Sequence, residues 1–309
     1  MTAPDTLVVV NEHAGGGAMA DTFRRLEHRL EDALGDFDVA FTDGPGHARE
    51  LARQAAAGGA VRRLLVGGGD GTLNEVVNGV LDEDGAPRAP QLNLGVITGG
   101  TGGDFRKTLG VRTADDALGA LTGGRVRKLD VARLTYRADD GRDAIRHFIN
   151  VTSLGVGGLV VRHIPNFKQF GGKLAYAGAT LRSLWGWTNP TVRLTLDGGA
   201  PIEGPIVTVA IANGRYFGGG MRVAPSAELD DGHLDVTVLG DLSRLELVLM
   251  SRTIYDGRHL RHPKVTAHTA RVVTAESDTP VYLDVDGEAL GRLPARVEIL
   301  PRALGFITP

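Results

Sequence analysis

The chain has 309 residues, 42% of them hydrophobic, with 5% aromatics and 44 glycines, which fits a globular protein of two domains or one large one and excludes a disordered chain. The net charge of -3 and the lack of any block of Lys and Arg argue against a nucleic-acid role. With no cysteine in the sequence, disulfides, iron–sulfur clusters, thiolate zinc sites and cysteine nucleophiles are excluded.

Met1 to Val10 lacks a basic stretch followed by a long apolar run, so no signal peptide is expected. The longest apolar runs, such as Val207 to Ala212, are too short to cross a bilayer. The expectation is a cytoplasmic protein that touches a membrane, if at all, only at its surface.

Up to about Arg125 the pattern alternates strand and helix. Leu7-Val8-Val9-Val10 reads as a buried strand, followed by a loop from Asn11 to Gly17. Phe23, Leu26, Leu30 and Leu34 then recur at helical spacing. Asp38 to Phe41 reads as a second strand, Thr42 to Gly46 as a turn and His47 to Ala57 as a helix. Leu64-Leu65-Val66 is a third strand, and Thr72 to Leu81 a helix. Leu94 to Ile97 is a fourth strand, with a loop over Thr98 to Gly103. This repetition predicts a mostly parallel sheet covered by helices.

Beyond that point, short β-type runs follow one another: Lys128–Thr135, Arg146–Ser153, Thr191–Leu196, Pro205–Ala212, His233–Leu239, Ala270–Ala275, Val281–Val285 and Ala295–Leu300. Turns rich in Gly and Asp separate many of them, which predicts an antiparallel sandwich. Helices are expected over Lys173 to Trp185 and Leu242 to Tyr255. The composition shift sets a boundary at residue 127, giving domains 1–127 and 128–296.

Gly67-Gly68-Gly69-Asp70-Gly71-Thr72 lies where a buried strand gives way to a helix. Unpaired N–H groups and the helix dipole attract anions there. Glycines let a ligand approach the backbone, and Thr72 is suited to cap the helix. A tight turn needing Gly for geometry alone is the plainer alternative. The segment is neither a P-loop nor a dinucleotide fingerprint, since Gly-Lys-Ser/Thr is absent and Thr72 replaces the third Gly. Asp70 would repel a phosphate unless a cation intervenes, and Mg²⁺ in a phosphotransferase supplies one.

Gly99-Gly100-Thr101-Gly102-Gly103-Asp104-Phe105 repeats the theme after the fourth strand. Loops at the carboxyl ends of parallel strands share one rim, so the two should converge. Asp104 as the N-cap of a short helix is the bland alternative. Asp286-Gly287-Glu288 follows a strand in the second half; an Asp-Gly pair there reads first as a hairpin turn, and second as the setting of a general base.

Taken in this order, these segments resemble the bacterial diacylglycerol-kinase-like family of soluble lipid kinases, over nearly the whole chain. Gly68 to Gly79 is similar to the family's most diagnostic stretch, Gly100-Thr101 with Asp104-Phe105 to its second nucleotide motif, and Asp286-Gly287-Glu288 to its catalytic carboxylate motif. Asn213-Gly214, Gly218 to Gly220, Ala224-Pro225 and Asp231 to Asp235 resemble its second-domain signature. The first loop, Asn11-Glu12-His13-Ala14-Gly15, departs from the family's Asn-Pro-x-Ser-Gly; Thr98 and Gly103 stand where Pro and Asn are common.

The resemblance implies an NAD-kinase-like α/β domain binding nucleotide, a β-sandwich completing the substrate cleft, and a tail, 297–309, returning to the first domain. It implies ATP as co-substrate and Mg²⁺. Glu288 would be the general base, with Asp70, Asp104 and Asp286 in a carboxylate–water–Mg²⁺ network. Asn11, Thr42, Gly68, Gly69, Asp70, Gly71, Thr72, Asn74, Glu75 and Thr101 would face ATP. Asp231, with the carbonyls of Glu228 and His233, matches a structural Mg²⁺ position.

The implied reaction is transfer of the γ-phosphoryl group to a hydroxyl of diacylglycerol or a similar lipid at a membrane surface. Phe167, Phe170, Leu174, Tyr176, Leu181, Trp185 and Trp187 are candidates for a lipid slot or a membrane-touching edge, and Lys168, Lys173 and Arg182 for headgroup contacts. Core packing of that helix is an equal alternative. An NAD kinase and a nucleotide-binding regulator without catalysis stay open, as does a homodimer. The nine histidines lack zinc spacing and read as structural or surface residues.

Overall fold

The computed structural model describes residues 4–98, 103–166 and 172–309, and for 172–177 the backbone alone. Two compact units divide the chain: Met1–Val131 with Leu229–Asp231 and Leu300–Pro309, and Ala132–Glu228 with Gly232–Ile299.

The first unit alternates as its hydrophobic periods require. β1 (Thr6–Val10), α1 (Ala18–Leu34), β2 (Asp38–Phe41), α2 (His47–Gly58), β3 (Arg63–Gly67), α3 (Asp70–Val80) and β4 (Asn93–Ile97) follow in order, then α4 (Phe105–Leu109) and α5 (Ala114–Gly123). β1 pairs in parallel with both β2 and β3, and β3 with β4. The chain's last strand (Glu288–Thr308) ends here, with Gly305 and Phe306 pairing in parallel with Asn93 and Leu94. The sheet is thus parallel throughout, and its strands are continuous apolar runs because helices cover them. Phe23, Leu26 and Leu30 of α1 pack with Val8, Val10, Leu65 and Ile97 in one core. Each such side chain contributes roughly 1.5–3 kcal/mol through burial.

The second unit is built on β5 (Arg125–Arg137), β6 (Asp143–Phe148), β7 (Val151–Gly155), α6 (Val156–His163), α7 (Gly172–Trp185), β8 (Thr191–Leu196), β9 (Ile202–Pro205), β10 (Thr208–Ala212), β11 (Leu234–Leu239), α8 (Arg244–Met250), β12 (Val265–Ala270), β13 (Val272–Glu276), β14 (Tyr282–Val285) and the long β15 (Glu288–Thr308). Antiparallel pairing runs β12-β11-β10-β7-β14-β15, while β9-β8-β13 joins β15 further along. Phe148, Leu154, Val192, Val209, Val236, Val273, Leu283 and Val297 meet in one apolar core, the sandwich interior.

Several elements differ from the sequence expectation. Arg146–Ser153 is two strands, broken at Ile149-Asn150, because Asn150 leaves the ladder to accept the N–H groups of Asn213 and Gly214 and to donate its side chain to the Tyr216 carbonyl. The helix expected over Leu242 to Tyr255 is regular only to Met250; Ser243 caps it by accepting the Glu246 N–H while Glu246 returns a bond to the Ser243 N–H. β9, β12, α5 and α6 are additions; Gly155, Gly157 and Gly158 disguise the start of α6.

Candidate active site

α3 begins at Asp70, two residues before the expected start, with extended Gly69 as its N-cap and no side chain capping it. Thr72 therefore sits inside the first turn and is not the cap. Its hydroxyl accepts the Asn11 side-chain amide at 3.0 Å, and the Asn11 N–H donates to the Gly67 carbonyl at 2.8 Å. The first loop and the glycine turn are thereby tied together. At Gly68 an added Cβ would lie 2.6 Å from the Thr72 Cβ and Oγ1, so only glycine permits this approach. Thr42, buried at the end of β2, donates its N–H to the Val10 carbonyl at 2.9 Å. Asn11, Thr42 and Gly68 to Thr72 share the rim at the carboxyl ends of β1, β2 and β3.

Asp70 does not point away from this rim. Its carboxylate accepts the N–H of Asp104 at 2.7 Å and of Phe105 at 3.2 Å, the start of α4. That contact joins the glycine turn before α3 to the start of α4. Burial, followed by the charge of Asp104, pushes the Asp70 carboxyl up to about 6, against the pull of the two N–H donors. Asp104 is itself buried, and Lys107 Nζ meets its Oδ1 at 2.7 Å. It occupies the N-cap position of α4 without a side-chain cap bond. Lys107 was not singled out in the sequence, although its i+3 spacing from Asp104 is a usable signal.

Asn74 and Glu75 turn elsewhere. Asn74 is fully buried and accepts from the Asn78 side chain at 3.1 Å. Glu75 accepts the N–H groups of Gly46 at 2.8 Å and Ala48 at 3.1 Å, at the N-terminus of α2. Gly71 lies in the first turn of α3. Thr101 lies outside the described residues, as do Gly99, Gly100 and Gly102, and Phe167, Lys168 and Phe170 on the other stretch.

In the second unit, Asp286 and Gly287 have φ of 48° and 85°, and Val285 pairs with Glu288 across them. This is a two-residue hairpin turn with both φ positive, the conformation for which Asp-Gly is suited. The Asp286 carboxylate accepts the N–H of Val151 at 3.0 Å and of Ile149 at 3.5 Å, which fixes the turn against β7. Glu288 follows, 37% exposed in its side chain, with Oε2 2.7 Å from an Arg146 nitrogen. Below the turn, Ser153 donates to Asp284 at 2.5 Å across paired strands. Burial pushes the Asp284 carboxyl up to about 6, opposed by Ser153 and the Gly287 N–H. Arg146, Ser153 and Asp284 were missed; Asp284 carries a weak signal, lying two residues before Asp286 in a strand of period two.

Asp230 is engaged by Arg127 at 2.7 Å, while Glu228 and Asp231 are exposed and His233 is half-buried. Among the described residues, no group of three or more His, Asp or Glu side chains is arranged to hold a metal ion. What is present, the half-buried Asp70 carboxylate and the buried Asp104 carboxylate with Lys107 beside it, fits Mg²⁺, which takes one or two carboxylates and completes its shell with water and phosphate. His259 is structural as expected, buried with Nε2 3.2 Å from the Val223 carbonyl.

Comparison with known proteins bears on this arrangement. Residues 5–134 match the diacylglycerol kinase catalytic domain, and residues 150–308 the YegS C-terminal NAD kinase beta sandwich-like domain. The chain belongs to the diacylglycerol kinase family. It is a phosphotransferase with an alcohol group as acceptor. A diacylglycerol kinase of Staphylococcus carnosus is 32% identical over 247 residues, covering 80% of this chain and 76% of its own. One from Mycobacterium tuberculosis is 29% identical over 299 residues, covering 96% and 90%. A crystal structure from Bacillus anthracis, described as a candidate diacylglycerol kinase, superposes with a TM-score of 0.79 at 26% identity, covering 100% of this chain and 96% of that one. The fold extends to yeast NADH kinase, at a TM-score of 0.54 and 11% identity, covering 98% of this family member and 82% of that chain. An NAD-kinase-like α/β unit followed by an antiparallel β unit is thus the fold of this family member. Among its described residues no helix is long and apolar enough to cross a membrane.

Proposed function

We propose that the chain is an ATP-dependent lipid kinase that phosphorylates a hydroxyl of diacylglycerol or a similar lipid at a membrane surface. The observation that carries this reading is the bond from the Asp104 N–H to Asp70, which ties the glycine turn before α3 to the start of α4. Backbone N–H groups of Gly68, Gly69 and Gly71 would receive ATP phosphates, with Asn11 and Thr72 holding the loop in shape. Asp70 and Asp104 would hold Mg²⁺, and Asp231 with the carbonyls of Glu228 and His233 a second, structural ion. Bound Mg²⁺ supplies charge neutralisation on the phosphates.

Glu288 would accept the proton of the acceptor hydroxyl, and Arg146 would orient it. Asp286 holds the turn that presents Glu288, alongside its place in the carboxylate–water network. Phosphoryl transfer depends mainly on such positioning. The test is incubation of the protein with labelled ATP, Mg²⁺ and a lipid extract, with parallel arms containing sphingoid bases and NAD. A labelled phosphatidic-acid-type product is expected. Label on NAD, or on nothing while ATP binds, would sink the reading.

A further inference from the structure

Helix α8 is apolar on both sides. Leu247 and Met250 pack inward with Val207, Leu239, Leu242 and Val265. On the outer side Leu245, Val248 and Leu249 are 69%, 66% and 69% exposed. Their i, i+3, i+4 spacing places them together on one face. A surface helix normally turns polar residues outward, so the core does not account for these three. On α7, Leu181 and Trp185 lie one turn apart and are 73% and 79% exposed. The two helices meet: an Arg244 nitrogen donates to the Trp185 carbonyl at 2.8 Å, and a cleft of about 380 Å³ between them is lined by Leu184, Trp187 and Leu247.

The charge around this apolar surface is predominantly positive. No Asp or Glu occurs between Asp143 and Asp197, a stretch that contains all of α7. Arg244, Arg252, Arg258 and Arg261 are exposed on and after α8. Of the acidic residues there, Glu246 is paired with Lys264 at 2.9 Å and Asp256 with Arg258 at 2.7 Å, while exposed Asp241 accepts from the Asn189 side chain at 2.7 Å, so cations outnumber them. Arg182 and Arg252 make no ion pair among the described residues. In a chain of net charge -3, cations have gathered around the exposed leucines and tryptophan.

We infer that α7 and α8 together form a docking face for a bilayer containing anionic phospholipid. The inference rests on the reading of the acceptor as a membrane lipid, and adds to it a surface in which α8 supplies the apolar anchor. Leucines enter the acyl boundary, a tryptophan ring settles at headgroup level, and arginines meet phosphates. A second copy of the chain is the poorer occupant, because a symmetric contact would set these cations against themselves.

The test uses the intact chain with vesicles of phosphatidylcholine alone or with about one third phosphatidylglycerol, a composition chosen for its surface charge. Co-flotation is expected with the anionic vesicles. In the Trp187→Phe variant, where Trp185 is the remaining tryptophan, a blue shift of emission should accompany it. The triple change Leu245→Ser, Val248→Ser, Leu249→Ser, all at exposed positions, should lower binding by tenfold or more, and Arg182→Glu with Arg252→Glu by several-fold. Equal flotation of the triple variant and the parent, equal binding to neutral vesicles, or a concentration-dependent blue shift without vesicles would each overturn the inference. Flotation needs no turnover, so a chain that floats yet phosphorylates no lipid would refute the kinase reading and leave this face standing.

Discussion

Asp70 accepts the backbone N–H of Asp104, 34 positions away in the chain, at 2.7 Å. A side chain that looks from the sequence like a phosphate-loop acid thus clasps the start of α4 to the turn before α3. The cost is visible in its weakened acidity, since burial and the neighbouring Asp104 raise its pKa to about 6. The proposed Mg²⁺ would relieve this by neutralising charge at the two carboxylates.

Replacement of Asp70 by Ala should therefore reduce turnover about 100-fold or more, since displacement of reacting groups by an ångström already costs that much. Global stability should change little, because the lost hydrogen bonds to Asp104 and Phe105 are offset by relief of a desolvated charge. Turnover at saturating ATP and Mg²⁺, beside a thermal melt, measures both. Near-normal turnover would remove Asp70 from the chemistry.

Glu75 makes a contrasting prediction. Its carboxylate serves two N–H groups at the start of α2, where negative charge is favoured by the helix dipole. Glu75→Ala should destabilise the fold by about 1–2 kcal/mol, the usual cost of a lost N-terminal cap. Glu75→Gln should recover part of this, since its carbonyl oxygen still accepts. Urea unfolding of the three proteins gives the order; a Gln variant no better than Ala would show that the contact contributes nothing.

What was legible in the sequence has a physical pattern. The strands of the first unit were readable because burial on both faces leaves continuous apolar runs such as Leu64-Leu65-Val66. The Asp286-Gly287 turn was readable because few residues adopt two successive positive φ values. The partners were not readable. Arg146 reaches Glu288 across 142 positions, and no local pattern encodes such a pairing. Asn150 interrupts a run of β-forming residues for the sake of Tyr216, 66 positions on. Asn74 and Glu75 stand in a nucleotide-type stretch, yet their side chains meet Asn78 and the α2 terminus, and no local pattern encodes the latter.

The Arg146–Glu288 pair, 2.7 Å apart with the arginine the more buried partner, lets the proposed general base be tested apart from the residue proposed to orient it. Glu288→Gln should lower kcat by about 10²–10⁴-fold, the span expected for loss of a general base, with ATP affinity retained. Arg146→Met should lower kcat less and should change the pH–rate profile, while Arg146→Lys restores only part because a point charge replaces a planar fork. If Glu288→Gln leaves kcat near the parent value, the base lies elsewhere; if Arg146→Met leaves the profile unmoved, the arginine is merely structural.

His259 is the last prediction, and it concerns stability against pH. The ring is 1% exposed, and because the Val223 carbonyl can only accept, Nε2–H is the donor to it at 3.2 Å. Burial pushes the pKa of the ring below the ordinary histidine value, outweighing the contrary pull of the Val223 and Thr253 backbone bonds and of Asp256. The unfolded chain then binds a proton in a pH range where the folded chain does not. Stability from this group is complete above about pH 6.5 and is lost as pH falls below it, by at most about 1.4 kcal/mol per pH unit. His259→Gln preserves a donor to Val223 and removes the titration. The parent should exceed the variant most at pH 7.5, and the gap should narrow by pH 5.5, because the other histidines are common to both chains and cancel. Urea midpoints across that range decide it: a gap independent of pH would mean that the buried ring does not titrate with unfolding.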